Sequence, residues 1–333
     1  MSKKNSTQLW KTGAEFLHAE HSIMCGAMSW VSEHNLVSAI SNAGGFGVIA
    51  CGSMSPELLD KEIKLTQAKT FKSFGVNLIT MHPQIEELIQ VCIDNNVSHV
   101  VLAGGLPKSH SIAKLKSHNI KVLCFAPALS LAKRLIKMGA DALIIEGMEA
   151  GGHIGPVSTS VLAQEILPNI TEIPVFVAGG IGCGEMIASY LRMGASGCQL
   201  GTRFVCSHES IAHPNFKKAF INAASRDAIS SVQIDPEFHV IPVRALANKA
   251  SDEFIKAQLS TINDYRNNLI SKEEAQLIIE KFWAGALKKA VIDGDIEYGS
   301  VMAGQSVGMV KSEQSVKEII NELVSHTNHS LSI

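Results

Sequence analysis

Short, almost unbroken apolar runs recur through the first two hundred residues, each followed by a longer stretch in which apolar positions return every third or fourth residue. A run of four or five apolar residues bounded by glycine, proline or charge is how a strand covered on both faces reads, and the wider spacing marks one face of a helix. Strands are therefore expected at Ile23–Gly26, Gly47–Ala50, Gly75–Ile79, His99–Ala103, Lys121–Phe125, Ala142–Glu146, Pro174–Ala178 and Gly197–Gly201. Between them the spacing predicts helices at His34–Ala43, Pro56–Lys69, Pro83–Asn95, Ser109–His118, Leu131–Gly139, Ser158–Leu167 and Glu185–Gly194. Prolines at two helix starts and Gly-Ala steps at two helix ends supply the expected punctuation.

Strand and helix alternating eight times predict an α/β fold, a TIM (β/α)8 barrel. A doubly wound open sheet is the rival. It is weakened by the absence of G-x-G-x-x-G after the first strand and of any G-x-x-x-x-G-K-[ST]. Beyond Thr202 the rhythm breaks: residues 207–297 are more polar and helical in pattern, too long for a βα loop, and read as an inserted helical subdomain or lid. The barrel is then built from residues 1–206 and 298–326, its outer wall completed by an amphipathic segment at Glu313–Val324.

Barrel sites form at the carboxyl ends of the strands, so the residues found there are the candidates. Strand six runs through Leu143-Ile144-Ile145 into Glu146 and a loop holding Gly147, Gly151, Gly152 and Gly155, where backbone can approach a ligand closely, with His153 among them. Strand seven ends in Gly179-Gly180-Ile181-Gly182 and strand eight in Gly201-Thr202. Free backbone N–H groups there, with the Thr202 hydroxyl, suit a phosphate. The remaining mouth residues, Ala27, Met28, Asn77, Ala126 and Gln199, are small, apolar or amide-bearing, as the walls for a large planar ligand should be. Asn77 and Gln199 would meet its polar edge and Glu146 a hydroxyl or ring N–H. The bland alternatives are an internally satisfied amide for Asn77 and a lysine-paired carboxylate for Glu146. One phosphate and one flat conjugated system describe FMN better than a dinucleotide.

Composition narrows the class. A net charge of −2, aromatics at 5% and no basic stripe argue against nucleic acid. The N-terminal MSKKNSTQLW has no apolar run behind it, so neither a leader nor a membrane segment is expected, and a cytoplasmic location is inferred. The 7 cysteines form no C-x-x-C pair and the 13 histidines no zinc-binding cluster, so no metal is expected.

The stretches GAMSWVSEHNLVSAISNAGGFGVI, FGVN, LAKRLIKMGADALIIEGMEAGGHIG, PVFVAGGI, QLGTRF, AHPNFK and GSVMAGQSVGMV resemble the nitronate monooxygenase (2-nitropropane dioxygenase) superfamily of FMN-dependent barrels. Within it the chain is most similar to the FabK-type enoyl-acyl-carrier-protein reductases, over about Ile23 to Val324. It departs from that branch in reading Ser22-Ile23-Met24-Cys25-Gly26-Ala27-Met28 where P-I-x-Q-G-G-M is usual. The resemblance implies FMN bound by Gly26, Ala27 and Met28 beside the ring, by Asn77 and Glu146 on its polar atoms, and by Gly179, Gly180, Gly201 and Thr202 at the phosphate. Gln305 and Gly308 would close the pocket, and His153 matches the active-site histidine. Implied too are NADH or NADPH as co-substrate and a substrate that is a small molecule or is carried on acyl carrier protein. A homodimer is compatible with this reading. Oxidation of alkyl nitronates by O2 on the same site is the alternative function; a phosphate-sugar or nucleotide barrel without flavin is the third.

Overall fold

A computed structural model describes residues 6–235 and 241–333. Eight parallel strands form the barrel: β1 (Ile23–Cys25), β2 (Val48–Ala50), β3 (Gly75–Ile79), β4 (His99–Ala103), β5 (Lys121–Phe125), β6 (Ala142–Glu146), β8 (Val175–Ala178) and β9 (Gly197–Leu200). Their order is β1-β9-β8-β6-β5-β4-β3-β2, and a parallel bridge between Met24 and Phe46 joins the two ends. A doubly wound sheet would reverse direction partway across; this order runs once around.

The barrel helices are α2 (His34–Asn42), α3 (Pro56–Lys69), α4 (Ile85–Asp94), α5 (Ser109–Ser117), α6 (Leu129–Lys137), α7 (Thr159–Ile166), α8 (Gly184–Arg192) and, at the end of the chain, α13 (Val316–Ser332). Several begin on side-chain caps. Ser55 accepts the Leu58 N–H ahead of Pro56 in α3, and Ser315 and Glu318 form a reciprocal capping box on α13. Pro83 lies outside α4, which starts two residues later than its position suggested.

Strand alternation sorts the side chains into two cores. Val76, Leu78, Val100, Leu102, Leu143 and Ile145 face the helices, and Met24, Phe46, Val48, Val101, Leu123, Ile144 and Phe176 fill the barrel. Phe46 and Phe176 are fully buried, each removing enough apolar surface to contribute roughly 1.5–3 kcal/mol. The amino end is plugged by α1 (Ser6–Leu17), a helix absent from the sequence reading, whose Phe16 and Leu17 pack on this inner core. Buried His99 donates from Nε2 to the Phe16 carbonyl at 2.8 Å, and burial depresses its pKa to about 4, so it remains neutral. With this end plugged, the opposite rim is the open face.

Between β9 and α13 lie the short α9 (Thr202–Val205), then α10 (Pro214–Asn222), β10 (Ala228–Ser230), β11 (Val243–Leu246), α11 (Lys249–Arg266) and α12 (Lys272–Val291). The sequence read this segment as helical; it also supplies two strands. With β7 (Gly152–His153) they form an antiparallel sheet in the order β10-β11-β7. The α11–α12 hairpin has its own small core of Phe254, Ile262, Ala275, Ile279 and Trp283.

Candidate active site

The rim at the carboxyl ends of the strands is polar in a specific way. Glu146, Ala178 and Gln199 are register partners on β6, β8 and β9, and Ala178 belongs to the inner core, so all three face into the barrel. Asn77 on β3 is registered with Ala50 and with inward-facing Val101. Asn77 and Gln199 are only 7% and 6% exposed, yet neither side chain makes a hydrogen bond among the described residues. The Glu146 carboxyl likewise has neither hydrogen bond nor ion pair among them. Both bland alternatives therefore fail: Asn77 is not an internally satisfied amide and Glu146 is not paired with lysine. None of these polar atoms is fully cut off from solvent, so they are open to a ligand with a hydrogen-bonding edge. Burial alone pushes the Glu146 pKa up to about 8, so at neutral pH it is largely a carboxylic acid and a donor.

Two loops frame this floor. In the first, the Gly26 N–H donates to the Leu200 carbonyl, the Met28 N–H donates to Ser32 Oγ at 3.0 Å, and that hydroxyl donates to the Gly26 carbonyl at 3.0 Å. Buried Ser32, which the sequence reading did not single out, thus fixes the turn on which half-buried Ala27 and Met28 sit. Trp30 beside them has φ +66 and a buried indole N–H without a partner, and Lys288 of α12 lies 5.1 Å from its ring centroid.

The second loop, from Gly147 to Gly155, carries His153. Its first residue is tied to the barrel by Gly147 N–H donating to the Ala178 carbonyl at 3.1 Å. Glu149, also outside the sequence reading, accepts from the Thr159 N–H at 2.8 Å and the Thr159 hydroxyl at 2.9 Å, capping α7, while its own carbonyl accepts from Gln305 N–H at 2.9 Å. A ten-residue gap separates that carboxylate from the helix it caps, so no local capping pattern reveals it. His153 was expected on a loop; it is exposed on the edge strand β7, paired with Val243 of β11.

At the expected phosphate position, Gly179 and Gly180 take φ +95 and +70, conformations that strain any residue with a Cβ. A Cβ on Gly180 would also come within 2.9 Å of the Glu149 side chain. Gly201 and Gly26 are less constrained, each with room for ordinary contact. The buried Thr202 hydroxyl accepts the Gly304 N–H at 3.0 Å, so it braces the late loop as well as facing this corner. Gly151 packs against Ala303 and Gly304, and half-buried Gly152 has φ +78. Gly308 is shaped by packing: a Cβ there would collide with Ser225 at 2.3 Å. Gln305 begins the short 3-10 turn that carries it.

Away from this face, Glu33, His34 and Glu62 cluster closely enough to hold an ion, but their polar atoms already serve the structure. Glu33 caps α2 through the Asn35 and Leu36 N–H groups, and Glu62 accepts from the His34 N–H at 3.0 Å and lies 2.8 Å from its Nδ1. No described helix is long and apolar enough to cross a membrane.

A sequence model of the nitronate monooxygenase family matches residues 11–92 and 84–326. The solved structure of FabK from Thermotoga maritima is 35% identical, superposes with a TM-score of 0.85 and covers 96% of both chains. A curated relative from Mycobacterium tuberculosis, (3aS,4S,5R,7aS)-5-hydroxy-7a-methyl-1-oxo-octahydro-1H-indene-4-carboxyl-CoA dehydrogenase, is 29% identical over 93% of this chain and 94% of its own. A probable nitronate monooxygenase from Staphylococcus aureus is 27% identical over 93% and 96%, respectively.

Proposed function

Since the chain belongs to the nitronate monooxygenase family and is an oxidoreductase of that family, we propose that it is an FMN-dependent reductase of enoyl thioesters, carried on acyl carrier protein, with NADH or NADPH as electron source. The observation that carries the cofactor assignment is the rim of partnerless polar side chains, Asn77, Glu146 and Gln199, inside a barrel whose phosphate corner has two left-handed glycines. These residues fit FMN: amides and a neutral carboxyl for the edge of a flat ring, Gly179 and Gly180 for a phosphate. When bound, FMN supplies hydride transfer, first from the nicotinamide and then to the substrate β-carbon. The chain's own share is to bind, orient and manage the proton. Glu146 donates to an acceptor on the bound group. His153, at the open edge of the mouth, hydrogen-bonds the thioester oxygen as negative charge gathers there, or delivers the proton to the α-carbon.

The thioester reading is favoured over nitronates by identity: 35% with FabK and 29% with a relative named for a carboxyl-CoA substrate, against 27% with a probable nitronate monooxygenase. Nitronate oxidation by O2 remains the second reading, supported by that last relative and by the family description. Anaerobic spectroscopy separates the two. NADH or NADPH should bleach the yellow protein and crotonyl thioester should restore the colour, with little O2 uptake on propyl nitronate. Fast O2-dependent nitronate consumption without anaerobic thioester turnover would remove the first reading, and a colourless protein that FMN cannot reconstitute would remove both.

A further inference from the structure

The His153 strand is two residues long within a glycine-rich loop, so the contacts that fix the two limbs of that loop bear on where the histidine sits. Only two residues of β7 pair with β11, Val243 opposite His153 and Arg244 opposite Gly152, with the Ile154 N–H donating to the Pro242 carbonyl at 3.0 Å. Gly152 at φ +78 and half-buried Gly155, around which a Cβ would meet open space, flank the histidine and give the loop freedom it must lose elsewhere.

Arg244 restrains that loop. Although it carries a charge, it is only 4% exposed. Its Nε donates to the Met148 carbonyl at 2.9 Å and its Nη1 donates to the Ala228 carbonyl at 2.5 Å. One rigid guanidinium therefore links β10 to the outgoing limb of the loop, while the backbone of the same residue registers the returning limb at Gly152. No carboxylate lies within ion-pair distance of it among the described residues, so its donors serve main-chain carbonyls. Burial pulls its pKa below the usual arginine value, with partial relief from the charge of nearby Glu149. An apolar side chain of similar volume would fill the space without that desolvation cost, so packing alone does not account for an arginine here. A planar fork fixes two carbonyls at set angles, which packing cannot do.

We propose that Arg244 is a positioning residue that sets the location of His153 by clamping both limbs of the Gly147–Gly155 loop to the inserted segment. The inference rests on the role given to His153 above. It predicts that the insertion contributes to turnover through loop geometry, beyond any contact it makes with substrate.

The test is a double-mutant cycle in FMN-loaded protein, with Arg244→Met and Arg244→Lys each made in the wild-type and His153→Ala backgrounds. Amide exchange is followed in parallel. Arg244→Met should lower kcat about 10- to 100-fold, as a misplacement of the order of 1 Å does, with KM for the enoyl thioester changed less than about 3-fold. In the His153→Ala background the same change should cost less than about 2-fold, because the group being positioned is gone. Protection of the Ile154 amide should fall while that of Leu143, bonded within the barrel wall to Pro174, is kept. Arg244→Lys retains charge but not the fork and should lose most of the same protection. Equal losses in both backgrounds, or unchanged Ile154 protection, would overturn the proposal; so would loss of the folded barrel in both variants, which would assign Arg244 to stability. If His153→Ala by itself leaves turnover intact, the role of His153 fails, while the exchange data still decide whether Arg244 holds the loop.

Discussion

Replacing Glu146 with glutamine should stabilise the flavin-free protein in alkaline solution and leave it nearly unchanged in acid. The carboxyl has no partner in the fold, and burial moves its pKa from 4.5 to about 8. Across that window the unfolded chain has released the proton that the folded protein retains, so stability declines as pH rises from 4.5 and levels off above about 8. Each pH unit in the window is worth about 1.4 kcal/mol, giving a ceiling of about 5 kcal/mol for the full span. A folded pKa of about 8 lies below pH 9, so most of that ceiling, about 4 kcal/mol, is the expected size. Glutamine has nearly the same shape and never ionises. Urea unfolding of both proteins at pH 5 and pH 9 isolates the effect, since every other titrating group cancels in the difference. The variant should match wild type within about 1 kcal/mol at pH 5 and exceed it by about 4 kcal/mol at pH 9. An equal difference at the two pH values, or a variant less stable at pH 9, would refute the assignment of Glu146 as a sheltered, partnerless acid.

Gly180→Val should abolish flavin retention, because a side chain at φ +70 and 2.9 Å from Glu149 distorts the phosphate corner; chromophore released on denaturation measures this, and a fully loaded yellow variant would put the phosphate elsewhere. Thr202→Val leaves the Gly304 N–H without its acceptor and should cost about 1–3 kcal/mol in thermal unfolding of the flavin-free protein. Unchanged stability there would mean that the late loop does not depend on the hydroxyl.

The barrel was legible because its strands are buried on both faces, so each appears as an apolar run whatever surrounds it. Four of the eight agree with the structure to the residue, among them Lys121–Phe125 and Ala142–Glu146, and the other four differ by one residue at one end. The rim amides were legible for a related reason: Asn77 and Gln199 interrupt runs in which a polar residue is conspicuous. What escaped notice lacks periodicity. The Gly152–His153 strand is too short to alternate, and β11 reads as a brief mixed segment inside a polar region. Arg244 looks like any surface arginine until β7 is laid beside it, and Glu149 caps a helix ten residues away. Such contacts are set by tertiary placement. The α1 plug is the exception, for Leu9, Trp10, Phe16 and Leu17 recur at helical spacing and pack on the core, so this helix was legible in the pattern.

The late place of α13 in the chain has a consequence for synthesis. All eight barrel strands are complete by Leu200, but α13, which packs on α2 and α8 in the helical layer, comes more than a hundred residues later. A nascent polypeptide that has made every stave still lacks part of its outer layer. For the time needed to translate more than a hundred further residues, the surfaces of α2 and α8 that α13 later covers remain open, a state prone to association with neighbouring chains. Ribosome-bound intermediates of this protein would thus depend on protection from chaperones, and truncation within α13 would be felt as aggregation during translation before it was felt as lost catalysis.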